Sequence, residues 1–569
     1  MNAFDTSADH LDDIAREVLD IDGLRPAQRR VVEAVLAGRD ALAVLPTGSG
    51  KSAIYQVAGL ALGGLTLVVS PMIALQHDQV RALSGRTKVD GTPLGVAAVN
   101  STLSDAERED ALRRWRTGEL DVVLVGPEQL LNEETLATLH TGARPVTLFA
   151  VDEAHLVSEW GHEFRPDYLQ LGRLIEELEH PPVLALTATA APPVRADIAR
   201  ELGMREPEVV VAGFDRPNIS LAVTPVSATG TAAKVTEALE DVAVALLADA
   251  TTPALVYSPS RNGCVRIANR LRQAGRRAEP YHAGLTAKVR ATTQDAFLAG
   301  SLDVVVATSA FGMGIDKPDV RTVVHAGPPG SLDEYYQEVG RAGRDGEPAE
   351  AVLVFAERAL QLPRLFASRV RLDDTAVRQV VNAIRRSPGD DPVPVEDIAA
   401  RTGVPPHTTE RIVDELSGAG LVDVGPDGVT VTPGSRPALG ASGAEQVEAA
   451  VQRREQVAHS RIEAVRRYAS VLGCRRVDLL GYFGEPLEGP CGNCDNDARG
   501  GAVVAPVAPP GVTEADVARV AAGDPVVHDR WGSGTVTSVD AHELVVAFES
   551  VGYKTLTTAV LTNGLLHPA

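Results

Sequence analysis

Leu45-Pro46-Thr47-Gly48-Ser49-Gly50-Lys51-Ser52 joins a short apolar run at residues 41–45 to a helical pattern. Glycine at 48 and 50 lets successive backbone N–H groups turn toward one centre, the way a loop holds phosphate oxygens. Thr47, Gly48, Ser49 and Gly50 supply that cradle, Lys51 reaches the β- and γ-phosphates, and Ser52 offers its hydroxyl to Mg2+. Leu45 stands where the generic pattern starts with glycine. A strand, a phosphate loop and a helix in that order predict an α/β lobe that binds a nucleotide.

About one hundred residues on, Asp152-Glu153-Ala154-His155 follows a second apolar run, residues 148–151. A carboxylate at a strand end can hold Mg2+, and its neighbour can orient or deprotonate water. Further along, Gln337-Glu338-Val339-Gly340-Arg341-Ala342-Gly343-Arg344 places two arginines three residues apart, able to share a helix face and to meet charge at a γ-phosphate. Asp152 is also a candidate Mg2+ ligand beside Ser52.

Short β-branched runs alternate with helical patterns at 41–45, 65–70, 122–125, 148–151 and 183–186, then at 254–257, 304–307, 323–325 and 351–355. Such alternation means parallel sheets covered by helices, here in two doubly wound lobes split near Gly213. Beyond residue 372 a helix, a helix-turn-helix and a short hairpin predict a winged helix, followed by a long helix and a cysteine cluster. A Gly-, Ala- and Pro-rich linker then leads to short strands that suit a small barrel.

This constellation resembles the superfamily-two helicases and, within them, the RecQ-type DNA helicases. Ser158-Glu159-Trp160-Gly161-His162-Glu163-Phe164-Arg165-Pro166-Asp167-Tyr168 is similar to the family's aromatic-rich loop, which couples single-strand binding to ATP hydrolysis. Trp160, Phe164 and Tyr168 offer stacking faces, and His162 and Arg165 polar contacts. The resemblance extends to Leu24-Arg25-Pro26-Ala27-Gln28 and implies adenine contacts from Arg25 and Gln28. It also implies DNA contacts from Gln76, in Ser70-Pro71-Met72-Ile73-Ala74-Leu75-Gln76, and from His282, in Tyr281-His282-Ala283-Gly284-Leu285. It makes Glu153 the base for the attacking water, Arg344 the arginine finger with Arg341 beside it, and His155 and Gln337 relays of nucleotide state.

The implied architecture is two tandem RecA-like lobes, 23–212 and 213–371, after an N-terminal segment, 1–22. A winged-helix-like domain (372–440), a zinc-binding module (441–498), a linker (499–522) and a Tudor-like β-barrel (523–569) follow. The barrel, around Val526 to Val536 with Trp531, resembles the one at the tail of superfamily-one helicases, where it is associated with RNA polymerase. Two departures stand out. Ile21-Asp22-Gly23 has no ring where the family stacks adenine, and Asp497 stands where a fourth zinc cysteine would follow Cys474, Cys491 and Cys494. Zinc accepts carboxylate oxygen, so Cys3Asp is a chemically allowed set.

Composition narrows the partners. The formal charge of −22 lacks the basic footprint of a whole-domain nucleic-acid binder, so a DNA path must be local. The stretch 391–440 carries three Arg against eight Asp and Glu, which suits protein contact as well as DNA. Residues 451–480 carry seven Arg against three acids, making His459, Arg461, Arg466, Arg467, Arg475 and Arg476 candidates for gripping a duplex backbone. Four cysteines in 569 residues imply a reducing compartment. The acidic first twenty residues lack the apolar core of a secretory signal, and the uncharged run 57–75 reads as helix end, turn and buried strand rather than a membrane span.

The expected activity is therefore ATP-dependent 3′-to-5′ DNA unwinding of RecQ type in repair and recombination. ATP, Mg2+ and Zn2+ are the cofactors, single-stranded and tailed duplex DNA the partners, and the bacterial cytoplasm at the nucleoid the location. The alternatives are a DNA-stimulated translocase that unwinds weakly and a transcription-coupled adaptor acting through the barrel on RNA polymerase.

Overall fold

The computed structural model describes residues 8–46, 48–158, 168, 170–311, 317–361, 363–364, 372–387, 391–418, 420–425, 428–432, 434–439, 441–485, 487, 489–500, 519–521, 523–539, 543–548 and 550–569. Lobe one holds β1 (Ala41–Val44), β2 (Leu65–Val69), β3 (Val96–Val99), β4 (Val122–Val125), β5 (Val146–Val151), β6 (Val183–Thr187) and β7 (Glu208–Val211). They pair in parallel in the order β3-β4-β2-β5-β6-β1-β7. Central strands buried on both faces read as unbroken apolar runs, which is what β1, β2 and β4 show. The uncharged run at 57–75 resolves into the end of the helix Lys51–Leu62, a turn with Gly63 and Gly64 at φ +65° and +74°, and β2. Among the described residues no helix is long and apolar enough to cross a membrane.

Lobe two holds β8 (Ile219–Pro225), β9 (Ala254–Tyr257), β10 (Ala278–Tyr281), β11 (Val304–Ala307), β12 (Thr322–His325) and β13 (Ala349–Phe355), again parallel, in the order β10-β11-β9-β12-β13-β8. Cys264 lies buried in its core, where burial pushes the thiol up to about 12 and makes it an inert packing residue.

Helices Asp374–Arg385, Val395–Thr402 and Pro406–Gly418 and the hairpin β14 (Val422–Gly425) with β15 (Gly428–Val431) form the winged helix. Val393 bridges to Val429 and widens the wing. The core of this unit extends past residue 440 to Ala444, Val447 and Val451. Those residues open the 30-residue helix Ala441–Ser470, whose second half packs Val457, Ile462, Val465 and Tyr468 into the core shared with the lobes.

The cysteine module lies along β8, the free edge of lobe two. Leu221 N–H donates to Asn493 O at 3.3 Å, Asn493 Nδ2 donates to Pro217 O at 2.9 Å, and Val223 N–H donates to Asp495 Oδ2 at 3.2 Å. Phe483 stacks on Phe214 with centroids 4.5 Å apart and planes 11° from parallel, and Tyr336 packs against both rings. Each buried ring contributes roughly 2–3 kcal/mol by leaving water.

Among the described side chains, the arginines counted above as a duplex grip are paired with acids rather than displayed as a bare basic surface. Arg475 spans both oxygens of Asp495, and Arg476 pairs with Asp215 at 2.8 Å while also donating to Ile219 O. Arg467 pairs with Asp478 at 2.5 Å and Arg466 with Glu463 at 2.6 Å. Arg461 faces Asp333 and Tyr482, and His459 lies 3.9 Å from Glu455. Arg475 and Arg476 are buried and their charge is consumed by Asp495 and Asp215, so their assignment to a DNA backbone is corrected; Arg466 and His459 are partly exposed and pair with acids of their own helix.

At the C-terminus β16 (Pro525–His528), β17 (Gly532–Val539), β18 (Glu543–Phe548), β19 (Gly552–Thr557) and β20 (Leu566–Pro568) form an antiparallel sheet in the order β19-β18-β17-β16-β20. Successive strand residues face opposite ways. Leu544, Val546 and Phe548 fill the module's own core with Val526, Val536 and Leu566, while Val545, Ala547 and Tyr553 join the core of the rest of the molecule. The sheet is docked through this second face. Trp531 is partly buried against His528, centroids 4.2 Å apart, and Phe548.

Removing one partner of a buried ion pair strands the other. Arg475→Ala is expected to destabilise the chain by about 3 kcal/mol, read as a lower urea midpoint. The exposed control Arg173→Ala, whose ion pairs lie in solvent, is expected to leave the midpoint unchanged.

Candidate functional site

The sheet of lobe one places three chemically distinct segments side by side, because β6 lies between β1 and β5. The phosphate loop follows β1, the acidic pair follows β5, and Thr187 ends β6. Gly48 and Gly50 take φ +79° and +78°, a left-handed region that a side chain would strain, and Gly50 caps the helix Lys51–Leu62. Lys51 Nζ donates to Leu45 O at 3.2 Å. Ser49 Oγ is buried with no hydrogen-bond partner among the described residues, an orphan that suits a phosphate oxygen.

Gln28 spends its amide on the loop itself: Nε2 donates to Ser49 O at 2.8 Å and Gly50 O at 3.0 Å, while Oε1 accepts from Arg25 N–H at 2.7 Å. It therefore ties the expected adenine side to the phosphate cradle. Arg25 sits exposed at the start of the helix Pro26–Leu36.

Asp152 is buried, and burial first, then the Glu153 charge, pushes its carboxyl up to about 6. The Lys51 ammonium works in the opposite direction. Lys51 is itself held below its ordinary value by burial, against the pull of Glu153 and Asp152. Ser70 Oγ donates to Asp152 Oδ2 at 3.4 Å. Glu153 holds a left-handed φ of +49°, a strained conformation for a side-chain-bearing residue. Its Oε2 lies 3.3 Å from His155 Nδ1, which also lies 2.9 Å from Thr187 Oγ1. Thr187 Oγ1 donates in turn to Thr189 O, linking the acidic segment to the end of β6.

Lobe two closes the site. The Arg344 side chain lies against the loop, its Cδ 4.0 Å from where a Cβ on Gly48 would stand, and it adds a positive charge beside Lys51. Arg341 is buried near Tyr257, whose hydroxyl donates to Phe311 O at 3.0 Å. Gln337 is half-buried on the helix Leu332–Val339 that leads to both arginines. Sequence reasoning missed the clamp that shapes this loop. Arg216 donates to Gly340 O, Ala342 O and Gly343 O at 3.3, 2.9 and 2.9 Å, and Asn218 Nδ2 to Gly343 O and Glu347 O at 2.8 and 2.9 Å. Their place in Phe214-Asp215-Arg216-Pro217-Asn218 was the available signal.

The donor set fits ATP with Mg2+. Backbone N–H groups, Lys51, Arg344 and Arg341 suit phosphate oxygens, while Asp152 and Ser52 suit the cation, which neutralises charge on the transferring phosphoryl group.

Two assigned DNA contacts are corrected. Gln76 is fully buried, donating to Ser70 O at 2.8 Å and accepting from Asn100 Nδ2 at 2.9 Å, so its amide braces lobe one from within. Tyr168 is likewise fully buried, its ring in the core of lobe one rather than facing a strand of DNA. His282 follows β10, buried, with Nδ1 unpartnered among the described residues. Trp160, His162, Phe164, Arg165 and Thr47 lie outside the described residues.

In the cysteine module, ligand atoms of Cys474, Cys491, Cys494 and Asp497 all lie within 4.8 Å of one another. Asp497 Oδ2 is 3.3 Å from Cys491 Sγ. Backbone N–H groups of Cys491, Asn493 and Asp497 donate to the sulfurs of Cys474, Cys491 and Cys494 at 3.2–3.4 Å. Such bonds stabilise thiolates around a metal. Burial pushes the Cys491 thiol up to about 12, a cost that a dication removes. Three sulfurs and one carboxylate at this spacing fit tetrahedral Zn2+.

Two RecA-like lobes sharing one phosphate site, with an acidic pair and a finger arginine, define a helicase-type motor ATPase. Family models agree: DEAD/DEAH box helicase over residues 25–197, helicase conserved C-terminal domain over 235–346, RecQ zinc-binding over 442–498 and PcrA/UvrD tudor domain over 522–560. The probable ATP-dependent DNA helicase RecS of Bacillus subtilis is 33% identical over 473 residues, covering 82% of this chain and 87% of its own length. RecQ of Pasteurella multocida is 40% identical and RecQ of Haemophilus influenzae 33%, covering 60% and 85% of this chain and 52% and 62% of their own lengths. The chain belongs to the RecQ family of ATP-dependent DNA helicases.

Two outcomes follow from the geometry. A carboxyl raised to about 6 in the folded chain against an ordinary 3.8 costs stability when ionised, so Asp152→Asn is expected to raise the thermal midpoint at pH 7.5. The gain, about 3 °C in magnesium- and nucleotide-free buffer, is expected to shrink as pH falls from about 6 toward 3.8, while hydrolysis is lost. Zinc measured by atomic absorption is expected near one per chain, retained in Asp497→Cys and lost in Asp497→Ala.

Proposed function

We propose that this chain couples ATP hydrolysis to 3′-to-5′ translocation along single-stranded DNA and separates tailed duplexes, in DNA repair and recombination. The observation that carries the reading is Arg344 of lobe two lying against the phosphate loop of lobe one. Hydrolysis and lobe movement then share one set of atoms, since losing the γ-phosphate removes what holds the arginine in place. The thread Glu153–His155–Thr187–Thr189 supplies a route by which the state of the acidic pair reaches the strand ends of lobe one. The direction of travel is the one the family resemblance implies.

DNA is the partner of the motor. The C-terminal sheet is the part suited to a protein partner, RNA polymerase among them. Asp524 to Ala569 carries two basic and five acidic residues, and Val527 and Leu565 are exposed. The place of action is the bacterial cytoplasm at the nucleoid.

The test compares the wild type with Lys51→Ala, with and without single-stranded DNA, alongside unwinding of a 3′-tailed duplex. Single-stranded DNA is expected to stimulate hydrolysis, and Lys51→Ala to lower kcat by about 100-fold or more and abolish unwinding. Hydrolysis indifferent to DNA would overturn the proposal; stimulated hydrolysis without strand separation would reduce it to translocation.

A further inference from the structure

The C-terminal sheet has no part in the ATP site as described so far, yet one of its side chains is connected to it. Tyr553, on β19, is 9% exposed and belongs to the core of the molecule rather than to the module's own. Its ring stacks on Tyr482, centroids 4.8 Å apart and planes 22° from parallel. Tyr482 OH donates to Asp333 Oδ2.

Asp333 is 3% exposed and is the second residue of the helix Leu332–Val339, which Ser331 caps by accepting from Glu334 N–H at 3.0 Å. That helix carries Gln337 and runs through Gly340 directly into Arg341 and Arg344. A two-turn helix moves as a rod, so fixing its first turn fixes the direction in which its far end presents the arginines.

Apolar docking alone does not account for the arrangement. Val545, Ala547 and the ring of Tyr553 already supply a buried surface. The Tyr482 hydroxyl and the Asp333 carboxylate add groups that are costly to bury without partners, and their bond, with the Tyr482 ring seated against Tyr553, selects one geometry over its neighbours.

We propose that Tyr553 is a positioning residue for ATP hydrolysis: through Tyr482 and Asp333 it sets the helix Leu332–Val339 and thereby Arg341 and Arg344 at the nucleotide. The inference rests on the ATP-site reading given above. It makes the C-terminal sheet a working part of the motor, and a partner that lifts the sheet away would slow hydrolysis.

The test uses full-length Tyr553→Leu, Tyr482→Phe and the double variant, with Lys51→Ala as reference, measuring kcat and KM for ATP at saturating single-stranded DNA. Tyr553→Leu stays apolar and removes the stacked ring, while Tyr482→Phe keeps its ring and removes only the hydroxyl from which Asp333 accepts. Each single variant is expected to lower kcat about fivefold with KM changed less than about twofold, because the arginines act on the transition state. The double variant is expected to match the single ones, since all break the same chain. Wild-type kcat in both single variants, with Lys51→Ala inactive, would overturn the proposal and leave the helicase reading standing. A kcat loss that appears only with a lowered thermal midpoint, and vanishes on cooling, would equally overturn it, marking a structural role. An active Lys51→Ala would remove the ATP-site reading and the proposal with it.

Discussion

Five consecutive residues, Phe214 to Asn218, hold the functional parts of this molecule in register. Phe214 stacks on Phe483 and donates its N–H to Glu485; Asp215 pairs with Arg476; Arg216 and Asn218 grip the carbonyls of the arginine-finger loop; Pro217 accepts from Asn493. One side of this segment fastens the zinc module and the other shapes the loop that presents Arg344. A polar backbone this tightly engaged cannot shift on one side without breaking bonds on the other. The zinc module is therefore a brace for the arginine loop as well as a domain in its own right.

The nucleotide site carries its own tension. Asp152 and Glu153 sit close enough for each to raise the cost of ionising the other, and Glu153 holds a strained backbone to do so. Lys51 and Arg344 crowd two positive charges on the opposite side. Both kinds of excess charge are relieved by one ligand that brings a cation for the acids and anionic oxygens for the bases. Functional sites pay in stability for this arrangement.

The sequence reading located every central strand of both parallel sheets and none of the four strands at their edges, β3, β7, β8 and β10. Central strands are buried on both faces and spell continuous apolar runs. Edge strands do not have to: β8 alternates buried and half-buried residues, β7 is mostly half-exposed, and β10 contains Pro280, which an edge tolerates because one side of its backbone has no partner strand. The phosphate loop and the acidic pair were legible because each is a contiguous string at a strand end. Gln76 and Tyr168 were not, since residue type does not reveal which way a side chain faces. The arginines of 451–480 misled for a related reason. A local surplus of charge says nothing of acids that arrive from elsewhere in the chain, as Asp215 does for Arg476. The Arg216 clamp escaped notice because its partners are backbone carbonyls, which leave no mark on the sequence.

The helix Ala441–Ser470 begins in the core of the winged helix and ends in the core beneath lobe two. At 1.5 Å per residue its length is about 45 Å. Because both ends are buried in different hydrophobic cores, it behaves as a lever with a fixed handle. A tilt of about 5° at the lobe-two end would sweep the other end through about 4 Å. Any change of angle at the lobe-two end would thus be amplified into a displacement of that size at an acidic domain that has no part in the chemistry.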